Sequence, residues 1–127
     1  MSHWHAYAHT GRALPDSAIR RGEAPSTYPP FELRDWLRRR PESTFTDPEA
    51  AAKWLHVQGE EHPPVDADAF PVDTRVRYAE STLAQEAGAD VVWGYYSAGG
   101  QYVSRALITC PRPPHPTGPP PACPDPA

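Results

Sequence analysis

The chain has 127 residues, of which 12 are basic and 16 acidic, giving a formal net charge of −4 with neutral histidines. This length allows one domain at most. The negative charge is atypical of nucleic-acid-binding domains, which are usually basic. No run of about 18 apolar residues is present, so the sequence predicts no membrane-spanning helix.

The cysteine content and the N-terminal sequence indicate a cytoplasmic protein. Cys110 and Cys123 are the only cysteines, too few for a disulfide framework. The first residues lack the charged start and apolar stretch of a signal peptide. Lys53 is the only lysine and asparagine is absent, a composition typical of GC-rich bacterial genomes. Because the cytoplasm is a reducing compartment, we expect both thiols to be free.

The distribution of apolar residues divides the chain into three parts. Residues 1–28 show no apolar period and are predicted to form a flexible or extended N-terminal arm. Nine of the 18 prolines lie in residues 111–127, a proline-rich tail that cannot form a regular hydrogen-bond ladder. Residues 29–110 are expected to form the folded domain. Because a domain of this size buries only about 60–65% of its unfolded surface, a second copy or another partner would add stability.

The first helix pattern of the domain precedes Pro41. Leu33, Trp36 and Leu37 stand at i, i+3 and i+4, which is typical of one face of a helix. The basic run 38–40 suits a helix C-terminus. The sequence therefore predicts a first helix that ends before Pro41.

The second helix pattern has the clearest start signal. Thr46 with Glu49 fits a capping box, and Asp47 followed by Pro48 fits an alternative start. We expect Gly59 to follow the helix end in the left-handed conformation. The predicted buried face consists of Ala51, Trp54, Leu55 and Gln58.

Residues 73–88 are compatible with two structures. A helix capped by Asp73 and Gly88 would have one apolar face, which consists of Val76, Ala79, Leu83 and Ala87. A strand would instead place Val76 and Tyr78 in alternation with the two arginines beside them. We favour a helix because the helical period persists over three turns.

Two β-rich runs flank Gly99-Gly100, which can adopt positive φ at both positions of a two-residue hairpin turn. Such a turn pairs Tyr96 with Val103, Tyr95 with Ser104, Gly94 with Arg105, Trp93 with Ala106 and Val92 with Leu107. One side of the hairpin then carries Trp93, Tyr95 and Tyr102, and the other carries Val92, Tyr96, Val103 and Leu107. The predicted fold is α+β: a small single domain with two or three helices on a hairpin-centred antiparallel sheet.

The apolar residues on both hairpin sides are the main functional indication. The helices can cover only one side, so we expect a protein partner, a second copy or a terminal arm on the other. The leading hypothesis is a non-enzymatic binding or regulatory protein. Its predicted interaction residues are Trp93, Tyr95, Tyr96, Tyr102 and Arg105.

A winged-helix-like DNA-binding protein is the first alternative, since three helices followed by a hairpin match that order. The predicted phosphate contacts are Arg38, Arg39, Arg40, Arg75 and Arg77. Glu80 and Glu86 on the predicted recognition helix argue against this alternative, because DNA repels carboxylates.

The second alternative is a small enzyme or ligand-binding protein with a pocket lined by Trp93, Tyr95, Tyr96 and Tyr102. Phosphate-loop, nucleophile-elbow and zinc-protease motifs are absent, so no catalytic residue is predicted. His3, His5 and His9 are compatible with a metal ligand set, and His3 also has the position used in N-terminal copper or nickel sites. A closed four-ligand shell is not visible in the sequence, and we expect neither a metal nor another cofactor.

Overall fold

Four antiparallel strands form one sheet in the computed structural model, which describes residues 3–85, 89–112, 118 and 122–124. The strands are β1 (His3–Gly11), β2 (Ser43–Phe45), β3 (Val91–Tyr96) and β4 (Tyr102–Cys110), in the spatial order β2-β1-β4-β3. The helices are α1 (Asp16–Arg20), α2 (Pro48–Glu61) and α3 (Val72–Leu83), with a 3₁₀ helix at Leu33–Arg38. The predicted α+β class is confirmed.

The sheet separates two apolar clusters. On one side, called here the helix face, α2 and α3 cover Trp4, Ala6, Trp93, Val103 and Leu107. The opposite side, called the second face, presents Tyr7, Ala106, Ile108 and Cys110 to Trp36 and Leu37 of the 3₁₀ helix. A part of the chain itself therefore covers the middle of the second face. Within the described residues, no helix has the length and apolar content needed to cross a membrane.

Helix α2 begins where the sequence predicts it. The Asp47 side chain accepts the backbone N–H of Glu49 at 3.1 Å, and Pro48 occupies the first helical position. The prediction for Gly59 is wrong, because the helix continues to Glu61 and buries Gly59. A Cβ at Gly59 would lie 2.7 Å from Cγ1 of Val72, so glycine is needed there for close packing of α2 against the start of α3.

Helix α3 confirms the helical interpretation over residues 73–83, with Val76, Ala79 and Leu83 buried. Ala87, the fourth residue of the predicted face, lies outside the described residues. It starts after Pro71 instead of at an Asp73 cap. The predicted cap at Gly88 lies outside the described residues. The first predicted helix is a short 3₁₀ segment that buries Trp36 and Leu37 and leaves Leu33 exposed.

The N-terminal segment requires a correction, because His3–Gly11 is not a flexible or extended arm outside the folded domain. It forms the inner strand β1, paired with β4 along its whole length and with β2 at residues 4–6. The pattern that predicts this strand is a two-residue period, in which Trp4 and Ala6 alternate with His5 and Tyr7. Because both faces of β1 are covered, its polar and apolar residues do not alternate between the two faces. The two-residue period is therefore hard to recognise in the sequence.

The hairpin register differs from the prediction by one residue. The Ser97 N–H donates to the Gln101 carbonyl at 2.8 Å, and Gly100 adopts φ +84°, so the loop contains three residues instead of two. The observed pairs are Tyr96 with Tyr102, Tyr95 with Val103, Gly94 with Ser104, Trp93 with Arg105 and Val92 with Ala106. This slip places Tyr102 on the opposite side of the sheet from Trp93 and Tyr95.

Candidate functional site

Strand β3 is an edge of the sheet and exposes part of its main chain. Since the Ser97 N–H points towards β4, alternation points the polar backbone groups of Val92, Gly94 and Tyr96 outward. The Tyr96 carbonyl accepts the Val65 N–H at 2.9 Å. Among the described residues, no backbone hydrogen bond reaches the outer edge at Val92 or Gly94. As far as the described part of the chain shows, the first half of the β3 edge is therefore open.

A groove of about 340 Å³ runs beside this edge, between β3 and α3. Its aromatic lining comes from Phe70, Tyr78 and Trp93. The rings of Phe70 and Tyr78 meet edge to face with centroids 6.1 Å apart, and Tyr78 is two-thirds exposed. The open strand edge and an apolar groove thus lie next to each other.

The charged groups at the groove are paired within the chain. Arg75 donates to Asp66 at 2.8 Å, and its guanidinium lies over Phe70, 4.5 Å from the ring centroid. Asp90 accepts two hydrogen bonds from Arg112, at 2.8 and 2.9 Å, and one from the Thr109 N–H at 2.8 Å. Because these charges neutralise one another locally, the groove favours apolar side chains over ionic ones.

Three of the five predicted interaction residues lie in the core of the helix face. Trp93 and Tyr95 are only 8% and 7% exposed, and Arg105 is 3% exposed. The Tyr95 hydroxyl donates to the His62 carbonyl at 2.7 Å, and burial raises the pKa of this phenol. Their positions identify Trp93, Tyr95 and Arg105 as core residues of the fold.

The other two predicted interaction residues, Tyr96 and Tyr102, lie on the second face. Tyr96 is 54% exposed, and its ring centroid lies 5.8 Å from that of the half-buried Tyr102. Tyr102 in turn lies 6.2 Å from Tyr28. A single pocket lined by all four aromatic residues is not formed, because the sheet separates Trp93 and Tyr95 from these two.

The predicted phosphate contacts are divided between the two sides of the sheet. The 3₁₀ helix and the residues after it place Arg38, Arg39 and Arg40 beside the second face, whereas Arg75 and Arg77 belong to α3. Arg39 donates to the carbonyls of Ser26 and Tyr28. The structure does not bring the five arginines together on one surface.

Two groups of potential metal ligands occur among the described residues. His3, His5, Cys110 and Cys123 have ligand atoms that all lie within 4.8 Å of one another, at the end of the second face where β1 begins. His56, Glu60 and Asp73 form the other group on the helix surface, with His56 Nε2 2.8 Å from Glu60 Oε1. The third N-terminal histidine, His9, lies apart from both groups and contacts Thr27.

The Cys110 thiol is a poor candidate for a catalytic nucleophile. It is buried, and burial together with the hydrogen bond and charge of Cys123 raises its pKa to about 11. A thiol with this pKa is protonated at neutral pH, whereas the nucleophile is the thiolate.

Comparisons of the chain with protein-family models, with curated proteins and with solved structures found no match.

Proposed function

We propose that this chain is a small cytoplasmic, non-enzymatic binding protein that recognises an extended segment of another protein. The segment would add to the open edge of β3 as a further strand of the sheet. Strand addition takes its affinity from main-chain hydrogen bonds and its specificity from pockets for alternate side chains. The observation that carries the proposal is the open edge at Val92 and Gly94 beside the groove between β3 and α3.

The composition of β3 supports this proposal. Proteins usually protect an exposed edge strand with charged side chains, proline or a very short length. The other edge strand, β2, has three residues, whereas β3 has six and carries no charge or proline. An uncharged edge of this length accepts a further strand without burying an unpaired charge.

The groove indicates the character of the bound segment. In an added strand, side chains alternate between the two sheet faces. Those on the helix face would enter the groove against Phe70 and Tyr78, and those on the second face would meet the exposed side chains of Val92 and Tyr96. We therefore expect a segment that is rich in apolar or aromatic residues and free of proline.

The test is a selection of displayed random peptides on the immobilised wild-type chain, followed by anisotropy titration of the selected peptides. Val92→Pro removes the outward N–H without removing a ladder hydrogen bond, and Val92→Lys places a charge on the edge. We expect Val92→Pro to weaken binding by about tenfold, which corresponds to the net loss of about one hydrogen bond.

The matched control is Val57→Lys, the same change at an equally exposed valine on α2, away from the groove. This variant should bind the selected peptides like wild type. Circular dichroism of all variants shows whether the fold is intact. The proposal would be wrong if no peptide is enriched, or if folded Val92→Pro and Val92→Lys both bind with wild-type affinity.

A further inference from the structure

Four ligand side chains from three separate segments meet at one end of the second face. His3 and Cys110 are direct cross-strand partners in β1 and β4, and His5 follows two residues later on the same side of β1. Cys123 comes from the C-terminal tail and lies against both histidines. The pairing of β1 with β4 and the return of the tail therefore create this cluster.

The distances within the cluster are close to those of a four-coordinate metal site. Cys123 Sγ lies 3.3 Å from His3 Nε2 and 3.0 Å from His5 Nε2. The Cys110 thiol is hydrogen-bonded to Cys123. Zinc bonds of about 2.0–2.3 Å in a tetrahedron separate the ligand atoms by about 3.3–3.8 Å. All four ligand atoms lie within 4.8 Å of one another, so only small side-chain adjustments separate them from that arrangement.

A hydrogen-bonding partner orients one of the imidazoles. His5 is fully buried, and its Nδ1 lies 2.9 Å from Oγ1 of Thr44, its cross-strand neighbour in β2. With the proton on Nδ1, the imidazole donates to this hydroxyl, and the lone pair of Nε2 faces Cys123. Metal-binding histidines are usually held in this way through their second ring nitrogen.

From this geometry we infer that His3, His5, Cys110 and Cys123 bind one Zn²⁺ ion in a tetrahedral Cys₂His₂ site. Two thiolates balance the charge of the ion, and a tetrahedral set of two sulfur and two nitrogen ligands favours zinc. Four protein ligands leave no open position, so the role of the ion is structural: it holds the tail and β1 together on the second face. This inference is independent of the strand-binding proposal.

The other ligand group does not support a similar inference. Glu60 and Asp73 are exposed, and His56 is nearly half exposed, so the three side chains form ordinary polar contacts on the surface of α2 and α3. The Cys₂His₂ cluster differs because His5 and Cys110 are buried and Thr44 supports one of its ligands.

The test uses the full chain, reduced and stripped of metal with a chelator, and titrated with Co²⁺ and then with Zn²⁺. We expect one Co²⁺ per chain, with thiolate-to-cobalt charge transfer in the near ultraviolet and the intense visible bands of tetrahedral Co²⁺. Zinc should displace the cobalt and abolish both signals. Mass spectrometry under native conditions should then show one zinc per chain.

Four variants distinguish the proposed zinc ligands from the residues around them. Cys123→Ser changes an exposed residue and should lower zinc affinity by at least about 100-fold. Loss of a residue that only hydrogen-bonds to a metal ligand already lowers metal affinity by about 10- to 100-fold. Thr44→Val should lower the affinity by about tenfold while keeping the ligands. His3→Ala should weaken binding as Cys123→Ser does. His9→Ala, a histidine on the same face of β1 outside the cluster, should bind like wild type.

Three results would overturn the inference. The first is cobalt binding without a thiolate charge-transfer band. The second is unchanged zinc affinity in Cys123→Ser, which would place the metal at the N-terminus through His3 alone or on the α2 surface. The third is a fully reduced chain that binds neither ion.

Discussion

Arg105 is a buried cation that donates four hydrogen bonds, all to neutral acceptors. Its Nε donates to Gln58 Oε1 at 2.6 Å, and its terminal nitrogens donate to the His9 carbonyl at 2.9 Å and to Thr10 Oγ1 at 2.8 Å. Burial lowers its pKa, but a guanidinium stays charged in proteins. The side chain links α2 to the end of β1. The sequence analysis predicts Arg105 as an interaction residue, whereas the structure buries it in the fold, which is rare for arginine.

Replacing Arg105 with lysine is expected to destabilise the fold. The lysine ammonium keeps the charge but lacks the planar fork of the guanidinium. It therefore cannot donate to acceptors in three directions at once. Loss of one or two charge-assisted hydrogen bonds predicts a decrease of about 2–4 kcal/mol in the free energy of unfolding, measured by urea denaturation. Arg77→Lys, the same change at an exposed position on α3, should stay within about 0.5 kcal/mol of wild type. Equal effects of the two changes would contradict the bonding role of Arg105.

At the scale of the elements, the one-residue slip of the hairpin decides which aromatic residues are available for binding. Tyr95 lies on the helix face beneath α3, and its neighbour Tyr96 lies exposed on the second face. A two-residue turn would have placed Tyr95 and Tyr102 on the same side, where both would serve one interface. In the structure, only Tyr96 is available at the outer edge of β3.

This register predicts opposite outcomes for two adjacent substitutions. Tyr95→Ala removes a buried ring and its hydrogen bond to His62, and should lower the free energy of unfolding by about 3–5 kcal/mol. Tyr96→Ala should change it by about 0.5 kcal/mol or less. If Tyr95→Ala does not fold, Tyr95→Phe provides the same comparison, with an expected loss of about 1 kcal/mol. A stable Tyr95→Ala next to an unstable Tyr96→Ala would support the two-residue turn instead.

The helices could be predicted from the sequence because their signals are local. Asp47 and Pro48 determine where α2 begins, and Val76, Ala79 and Leu83 repeat with the helical period. The hairpin could be predicted but not its register, since Gly99-Gly100 is compatible with loops of two and of three residues. Strand β1 was missed because its small and polar residues, Ala6 and His5 among them, become buried only through pairing with β4.

At the scale of the whole molecule, the candidate sites depend on contacts between distant parts of the sequence. The metal cluster requires β1, the end of β4 and the tail, and the groove requires α3 beside β3. The sequence shows the histidines of the N-terminal segment and the two cysteines, but the pairing of His3 with Cys110 is a property of the fold. The proline-rich tail contacts the sheet through Cys123, so with a metal bound at the proposed site the tail would contribute to stability.

Deletion of residues 113–127 tests this dependence. With a chelator present, we expect the shortened and full chains to melt within a few degrees of each other, because the tail has few apolar residues to bury. With zinc at about 100 times its dissociation constant, the full chain gains about 2.7 kcal/mol and should melt on the order of 10 °C higher. The shortened chain should show little response. The same zinc-dependent rise in both chains would exclude a role for Cys123 in metal binding.

The pairing of β1 with β4 also affects how the chain is made. Translation releases β1 from the ribosome before α2, α3 and β4, yet its principal partner is β4, so His3 cannot pair with Cys110 until β4 has been made. Until then, the apolar side chains of β1 have no cover, and only the three residues of β2 pair with this strand. Folding is therefore expected to start in the α2–α3 pair and to finish after β4 has left the ribosome. We expect a nascent chain in this state to bind chaperones that recognise unpaired, apolar strands.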